Sequence, residues 1–416
     1  MSGTLSCGDT QTPADTTAAG TSDSTTTPAD SGYDYPDVNY DGYEFRILNA
    51  TVDASYGCYV SLDFEEQTGE PLDDAVYQRN IRVEDKLGIE IIDMQTDVGT
   101  VWGTLQTALI DQLIQSVMAG DDAYDAAYLA VGFKPSVITD GYLTDLYDIP
   151  TLNLDAEWWD SVINDSLTIN GFTFNAEGNA VYGVAAHTSS TGSFIYSSGI
   201  RYTSEEKDGS LKLTIGSEKL YNMLDKLGTI MSVSDGHAHF DQSQAANPSY
   251  YYNVFAADHA LFLTSELKGA LSLRDMSSTF GLVPLPKYDE NQESYYSLTN
   301  YSASLLCVPK SADNLERTGV ILDALTYESY DSVLPVYYDI TVSQKGLRND
   351  ESIEMLSIIQ RSRGTEFTRV YGINTNIHNG FIDLISKGSE SAATIIASNE
   401  SAAQQKLNDL TSFFAE

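Results

Sequence analysis

Between Tyr43 and Val131 the chain switches repeatedly between two hydrophobic periods, and this alternation narrows the possible folds more than any other feature. Tyr43-Glu-Phe-Arg-Ile-Leu48 reads as a strand. Asp73 to Leu87 reads as a helix, with Val76, Ile81, Val83 and Leu87 at helical spacing and Gly88 as its stop. Ile89 to Met94 is a second strand. Gly103 to Ala119 is a second helix, striped by Leu105, Leu109, Leu113 and Val117 and ended by Gly120. Tyr124 to Val131 is a third strand. Strand–helix–strand–helix–strand predicts an α/β fold with a parallel sheet and right-handed crossovers. Ligands of such sheets lie beyond the carboxyl ends of the strands, here Asn49–Tyr59 and Gly132–Pro135.

The later chain is less regular. Leu167 to Phe174 reads as a hairpin around Asn170-Gly171. Val181 to Ser198 is rich in small residues and ends in Phe194-Ile-Tyr196, which reads as a strand after a crossing. A loop-rich stretch follows from Gly199 to Gly209. Ala260–Leu263, Phe280–Lys287 and Ser304–Val308 read as strands; Leu315–Tyr327, Asp350–Gln360 and Ser401–Phe414 read as helices. At about 100–200 residues per domain, a chain of 416 residues should hold two domains.

Residues 8–32 contain no Leu, Ile, Val or aromatic side chain, so they have nothing to bury against the entropy of being ordered and should form a disordered tether. Cys7 stands at its start. A cysteine on such a leash resembles the anchor of a bacterial lipoprotein. That resemblance implies lipidation at Cys7 and an extracellular body tied to the outer face of the cytoplasmic membrane. No basic segment and apolar run precede Cys7, Thr4 stands where a lipobox prefers Leu, and Met1-Ser2-Gly3 reads as an expression start, so the expectation is a signal segment removed before this sequence begins.

Acidic residues number 60 against 22 basic ones, for a net charge of −38. That field repels nucleic acid and favours a neutral or cationic ligand. The 27 Tyr, 14 Phe and 3 Trp offer flat apolar faces, many with a polar tip, suited to interfaces and sugar rings. No run of about 18 apolar residues is present. Nucleotide loops, a G-x-S-x-G elbow and H-E-x-x-H are absent and no cofactor is implied; a glycosidase-type carboxylate pair is defined only by separation in space, and the many Asp and Glu are better explained as solvated surface. His237-Ala-His239-Phe-Asp241 offers zinc-type donors or a solvated loop, and the expectation is no metal. Asp37-Val-Asn39-Tyr-Asp41-Gly42 starts like a calcium loop, but Leu48 stands where the bidentate Glu is needed, leaving a polar turn. Trp158 and Trp159 either stack on a ligand or plug the core, with the core favoured for at least one. Cys58 and Cys307 are either one disulfide or two separate thiols.

Several segments then align, in order and spacing, with one family: Tyr40-Asp-Gly-Tyr-Glu-Phe45, Asp74-Ala-Val-Tyr-Gln-Arg-Asn80, Tyr124-Asp125, Gly281-Leu-Val-Pro-Leu-Pro-Lys-Tyr-Asp289, Val308-Pro-Lys310, Leu322-Asp-Ala-Leu325 and Leu334-Pro-Val-Tyr-Tyr338. From about Tyr40 onward the chain resembles extracellular solute-binding proteins of ABC-type importers, in the branch similar to maltose-binding proteins. The resemblance implies a two-lobed periplasmic-binding-protein-like fold (type II), each lobe a mostly parallel sheet flanked by helices, joined by crossing hinge strands. Mapped here, residues 1–39 would be the tether, 40–185 plus 301–335 lobe one, and 189–298 plus 336–416 lobe two. Hinges would fall near Ala186–Ser190 and Thr299–Ser302. It further implies a carbohydrate held by hinge closure, delivery to permease subunits, a monomer, and no catalysis. Site residues implied by position are Tyr56 and Tyr59 after the first strand and Phe133 after the third. His187 and Thr188 would lie at the first hinge; Thr264, Ser265 and Glu266 on a lobe-two loop; Asn300 and Tyr301 at the second hinge; and Tyr337 and Tyr338 at the opening of the last helical segment. Leu267 departs from the aromatic that the maltose pattern places at that loop, which argues against a maltose-like ligand. Arg274 beside Asp275 reads equally as an ion pair or a ligand contact. A polysaccharide hydrolase, an adhesion protein, or a binder of peptides or polyamines are the competing readings.

Overall fold

The computed structural model describes residues 32–50, 62–96, 102–167, 190–207, 210–230, 252–253, 255–257, 260, 262–267, 269–273, 275–299, 303–342, 350–387 and 391–414. In chain order its elements are β1 (Tyr43–Ala50), α1 (Pro71–Leu87), β2 (Ile89–Thr96), α2 (Trp102–Ala119), β3 (Ala126–Leu129), a 3-10 turn (Val131–Phe133), α3 (Ser136–Thr139) and α4 (Ser161–Leu167). Next come α5 (Ser190–Ser197), β4 (Thr203–Glu205), β5 (Leu211–Leu213), α6 (Glu218–Ile230), α7 (Gly269–Ser272), β6 (Ser297–Leu298) and β7 (Leu305–Cys307). The chain finishes with α8 (Leu315–Glu328), a π-helical turn (Ser329–Val333), α9 (Leu334–Val342), α10 (Asp350–Arg361), β8 (Arg363–Gly364), α11 (Phe367–Val370), α12 (Thr375–Lys387) and α13 (Ala392–Phe413).

The main sheet has the order β2-β1-β3-β7. β1 runs parallel to β2 and β3, and β7 is antiparallel to β3. The alternating burial of β1 sends Phe45 and Ile47 to one face and Leu48 and Ala50 to the other. On the first face they meet Val83 and Leu87 of α1, Ile321 and Leu322 of α8, and Trp159. On the second they meet Leu105, Leu109, Ile110 and Leu113 of α2. Each such side chain contributes roughly 1.5–3 kcal/mol when fully buried. The turn from α1 into β2 requires Gly88: its φ is 64°, and a Cβ there would stand 2.4 Å from the Asn39 side chain.

A second body is built mainly of α5, α6, α12 and α13. Ile195, Leu220, Leu224, Ile377, Phe381 and Leu407 continue the second-face cluster of the sheet without a break. The family resemblance implies a mostly parallel sheet here. Among the described residues this body holds two short pairs, antiparallel β4–β5 and parallel β6–β8.

Several local expectations are corrected. Ser190–Ser197 is a helix, not a strand; its Ser, Thr and Gly side chains are small enough for the helix to be buried nearly all round. The nearby hydroxyls are satisfied within the turn, Ser197 donating to the Phe194 carbonyl at 3.0 Å and Ser198 to that of Ile195 at 2.7 Å. Phe280–Lys287 runs outside any ladder among the described residues, and Pro284 and Pro286 bring no N–H to one. The described residues of Ala260–Leu263 likewise form no strand. Cys307 is a free, buried thiol on β7, so the disulfide alternative does not hold. Packed structure begins at Tyr33 rather than after residue 39, because Tyr33, Tyr35 and Tyr40 supply the apolar surface that the Thr/Ser run lacks. Trp159 is a core plug, as favoured: it is fully buried, and both Trp158 and Trp159 donate to Asp323 at 3.0 Å. Asp37–Gly42 is a polar turn, with the Asp41 N–H donating to the Asn39 side chain at 2.9 Å. Cys7, Cys58, the His237–His239 pair and Arg274 lie outside the described residues.

Candidate functional site

The carboxyl end of β3 runs straight into the 3-10 turn Val131–Phe133, which places half-buried Phe133 at the edge of the sheet. Beneath it, the Gln106 side chain of α2 accepts the Ala130 N–H at 2.9 Å. The second body meets the sheet at this point. α11 packs on the turn, and Gly372 approaches Pro135 so closely that a Cβ on it would sit 3.2 Å from the proline ring. Tyr371 donates its hydroxyl to the Leu167 carbonyl at 3.1 Å. A second bridge lies alongside, where Arg363 of β8 pairs with Asp160 at 2.5 Å, both side chains buried.

Inward from these contacts is a group of buried polar side chains on α11, α12, α5 and the segment before β4. Glu366 caps α11 by accepting from the Thr368 hydroxyl at 2.8 Å and its N–H at 3.3 Å. Burial raises the Glu366 carboxyl above its ordinary range, partly offset by the Thr368 bonds and by the Arg201 and Arg369 cations. Asn374 follows, and His378 lies one turn further along, its N–H donating to the Asn374 carbonyl at 2.9 Å. The His378 ring packs on Gly192 in the first turn of α5, where a Cβ would come within 2.4 Å of the imidazole. Burial, with a smaller push from Arg369, lowers the His378 pKa to about 3, so the ring is neutral.

Both polar atoms of the Asn374 side chain, the Tyr202 hydroxyl, His378 Nδ1, Gln106 Nε2 and Thr299 Oγ1 are buried without a hydrogen-bond partner among the described residues. Each orphaned group costs about 1–3 kcal/mol if left so. Proteins tolerate such groups where a ligand, water or ion takes the bond. Among the other such atoms, Ser311 Oγ before α8 and Thr318 Oγ1 within it lie on different elements. The buried guanidinium groups of Arg363 and Arg369 lie beside the five uncharged side chains at the junction. Those five can both donate to and accept from a neutral, hydroxyl-rich molecule.

The residues expected at the site fall into three places. Phe133 lies on the sheet side of the junction. Thr264 lies on the other side, its hydroxyl 3.4 Å from that of Ser190 at the start of α5. Ser265 bonds the Tyr252 hydroxyl and the Glu266 carbonyl, both at 3.0 Å, and Glu266 is half-buried beside it. Tyr337 and Tyr338 lie within α9 rather than opening a helix, with ring centroids 6.0 Å apart. Tyr338 packs against the cluster of Leu267, Leu356 and Ile359, and burial pushes its hydroxyl up to about 12 against the lowering pull of Arg363. Tyr56, Tyr59, His187, Thr188, Asn300 and Tyr301 lie outside the described residues. Sequence reading missed Gln106, Tyr202, Thr299, Asn374 and His378. No motif marks them, and Asn374 and His378 stand in a mixed run, Ile373-Asn-Thr-Asn-Ile-His-Asn-Gly-Phe381, that does not set them apart.

Among the described residues no group of three His, Cys, Asp or Glu side chains is arranged to hold a metal ion. No helix among them is long and apolar enough to cross a membrane.

No protein-family model matches the chain, and no curated protein matches it. Solved structures do match. The GacH receptor of Streptomyces glaucescens, solved unliganded and with acarbose, is 11% identical with a TM-score of 0.55, covering 88% of this chain and 99% of that one. The ABC transporter associated binding protein of B. animalis subsp. lactis, solved with beta-1,6-galactobiose, is 12% identical with a TM-score of 0.54, covering 89% and 98%. The maltose-maltodextrin binding protein of Alicyclobacillus acidocaldarius is 10% identical with a TM-score of 0.54, covering 87% and 100%. The chain therefore has the two-lobed fold of the sugar-binding, ABC-transporter substrate-binding proteins.

Proposed function

We infer that this protein is the substrate-binding component of an ABC-type importer and that its ligand is a carbohydrate. The sheet body (residues 40–185 plus 301–335) and the second body (189–298 plus 336–416) act as the two lobes, and closure on the ligand is the activity. The supporting observation is that five uncharged side chains at the junction, Asn374, Tyr202, His378, Gln106 and Thr299, bury polar atoms without a partner among the described residues, beside the buried Arg363 and Arg369 guanidinium groups. A sugar offers hydroxyls to each, with no charge to desolvate. The net charge of −38 fits a neutral guest and disfavours an anionic one. Phe133 supplies a ring at the rim for stacking. The ligand stabilises the closed state only through contacts with both bodies. In this reading the protein works as a monomer outside the cell, carried on a lipid at Cys7, and hands its ligand to permease subunits without catalysing a reaction.

A thermal-shift screen over mono- and oligosaccharides and polyols, with amino acids, peptides and polyamines as controls, tests this. A sugar at about 100–1,000 times its dissociation constant should add roughly 2–4 kcal/mol of stability. Stabilisation by a peptide or polyamine and by no sugar would reject the carbohydrate and leave the binding role. Release of free sugar from a glycoside would replace the binding role with a hydrolase.

A further inference from the structure

Residues 33–42 are held in the molecule by side-chain as well as backbone hydrogen bonds. Tyr33 donates its hydroxyl to Asp323 at 2.8 Å, and Tyr35 donates to Glu328 at 2.7 Å. The Tyr33 ring lies 4.7 Å from Tyr35, 4.8 Å from Tyr327 and 6.0 Å from Trp158. Further along, Tyr40 N–H donates to the Leu87 carbonyl at 2.8 Å and Gly42 N–H to that of Gly88 at 2.7 Å. Burial raises both the Tyr33 and Tyr35 hydroxyls well above the ordinary phenol value, so they remain donors across the neutral range.

What the segment grips is distinctive. Glu328 is fully buried and is the last residue of α8 before the π-helical turn. Its second oxygen accepts from Arg82 Nε at 2.7 Å. The same arginine donates to Ser332 at 2.6 Å, and Arg79 donates to Ser329 at 3.1 Å, both within the turn. Ser329 and Ser332 each bond back to the carbonyl four residues earlier, at 2.6 Å. Such back-bonding bends helices, and π turns favour functional sites. Beyond the turn, α9 leaves the sheet body and inserts Tyr338 among Leu267, Leu356 and Ile359 of the second body.

We propose that residues 33–41 are a strap that holds the π turn through Glu328, so that the N-terminal tether is coupled to the stance of α9 and of the second body. Among the described residues the strap's contacts are with the sheet body, so in this proposal the second body is the one that swings. The coupling does not depend on the ligand being a sugar.

The test uses the full chain with Tyr33→Ser/Tyr35→Ser, and separately Tyr35→Phe, which keeps the ring and removes the bond to Glu328. Amide hydrogen exchange is followed across residues 329–342 and, as reference, across β1. The proposal expects exchange in 329–342 to speed about tenfold or more in the double variant and less in Tyr35→Phe, with β1 unchanged. It also expects a broader distance distribution between spin labels at Glu90→Cys and Glu400→Cys, with Cys7 and Cys58 replaced by Ser. Unchanged exchange in 329–342, or equal acceleration in β1, overturns the coupling. If the double variant does not fold, Tyr35→Phe with exchange unchanged at 329–342 overturns it alone.

Discussion

Neutral His378 gives the folded state a pH limit. Its pKa is about 3 when folded against 6.5 for an ordinary imidazole, so between those values the unfolded chain binds the proton and the folded chain does not. Stability from this group is complete above the unfolded value and is lost as pH falls below it. Denaturant titrations from neutral to mildly acidic pH should show that loss, and His378→Gln should flatten the slope. Tyr43 and Tyr338 set the opposite limit. Burial pushes both hydroxyls up to about 12 from 10, and Tyr43 also donates to Asp125 at 2.6 Å. The unfolded chain ionises first, so stability should fall as pH rises from about 10 toward 12. Tyr43→Phe should reduce the fall, read by unfolding at graded alkaline pH. At Gly192 a methyl group would collide with His378. Gly192→Ala should cost about 1–3 kcal/mol by chemical denaturation, as overpacked sites do.

Helix boundaries show how local chemistry positions the larger parts. Asn314 caps α8 by accepting the Arg317 N–H at 3.0 Å, and Asn314→Ala should cost about 0.5–2 kcal/mol in urea unfolding. The elements that were legible in the sequence share a simple cause. α1 and α2 carry apolar stripes at helical spacing, and β1 is a short apolar run buried on both faces of the sheet, so each shows in its side chains. α5 was illegible because it is buried on nearly every side and built of Ser, Thr and Gly, leaving no stripe to read. The continuation of α8 through the π turn into α9 was hidden for a different reason. Ser329 and Ser332 insert the extra turn through bonds to Arg79 and Arg82, about 250 positions away in sequence. Phe133 and Thr264 could be placed by their positions after expected strands. Asn374, Tyr202 and His378 could not, because only tertiary packing makes an uncharged polar side chain buried and unpartnered.

In the molecule as a whole, the sheet body and the second body touch at two kinds of junction. One is the packed contact of Phe133 and Pro135 with α11 and Gly372. The other is the buried Asp160–Arg363 pair, set beside Tyr338. Removing one member strands a buried charge. Asp160→Asn should therefore cost about 3–5 kcal/mol, while Asp160→Asn/Arg363→Met should recover much of it, by equilibrium unfolding. Under the proposed function, a neutral hydroxylated guest would satisfy the polar groups inward of these contacts and tie the bodies together. The most direct measurement is calorimetric titration of the sugar that stabilises the protein best, into the wild-type chain and into Asn374→Ala. The account predicts saturable binding to the wild type and affinity at least about tenfold weaker in the variant, a loss of about 1.4 kcal/mol or more. Undiminished sugar binding by Asn374→Ala, or no binding of any sugar by the wild type, would contradict it.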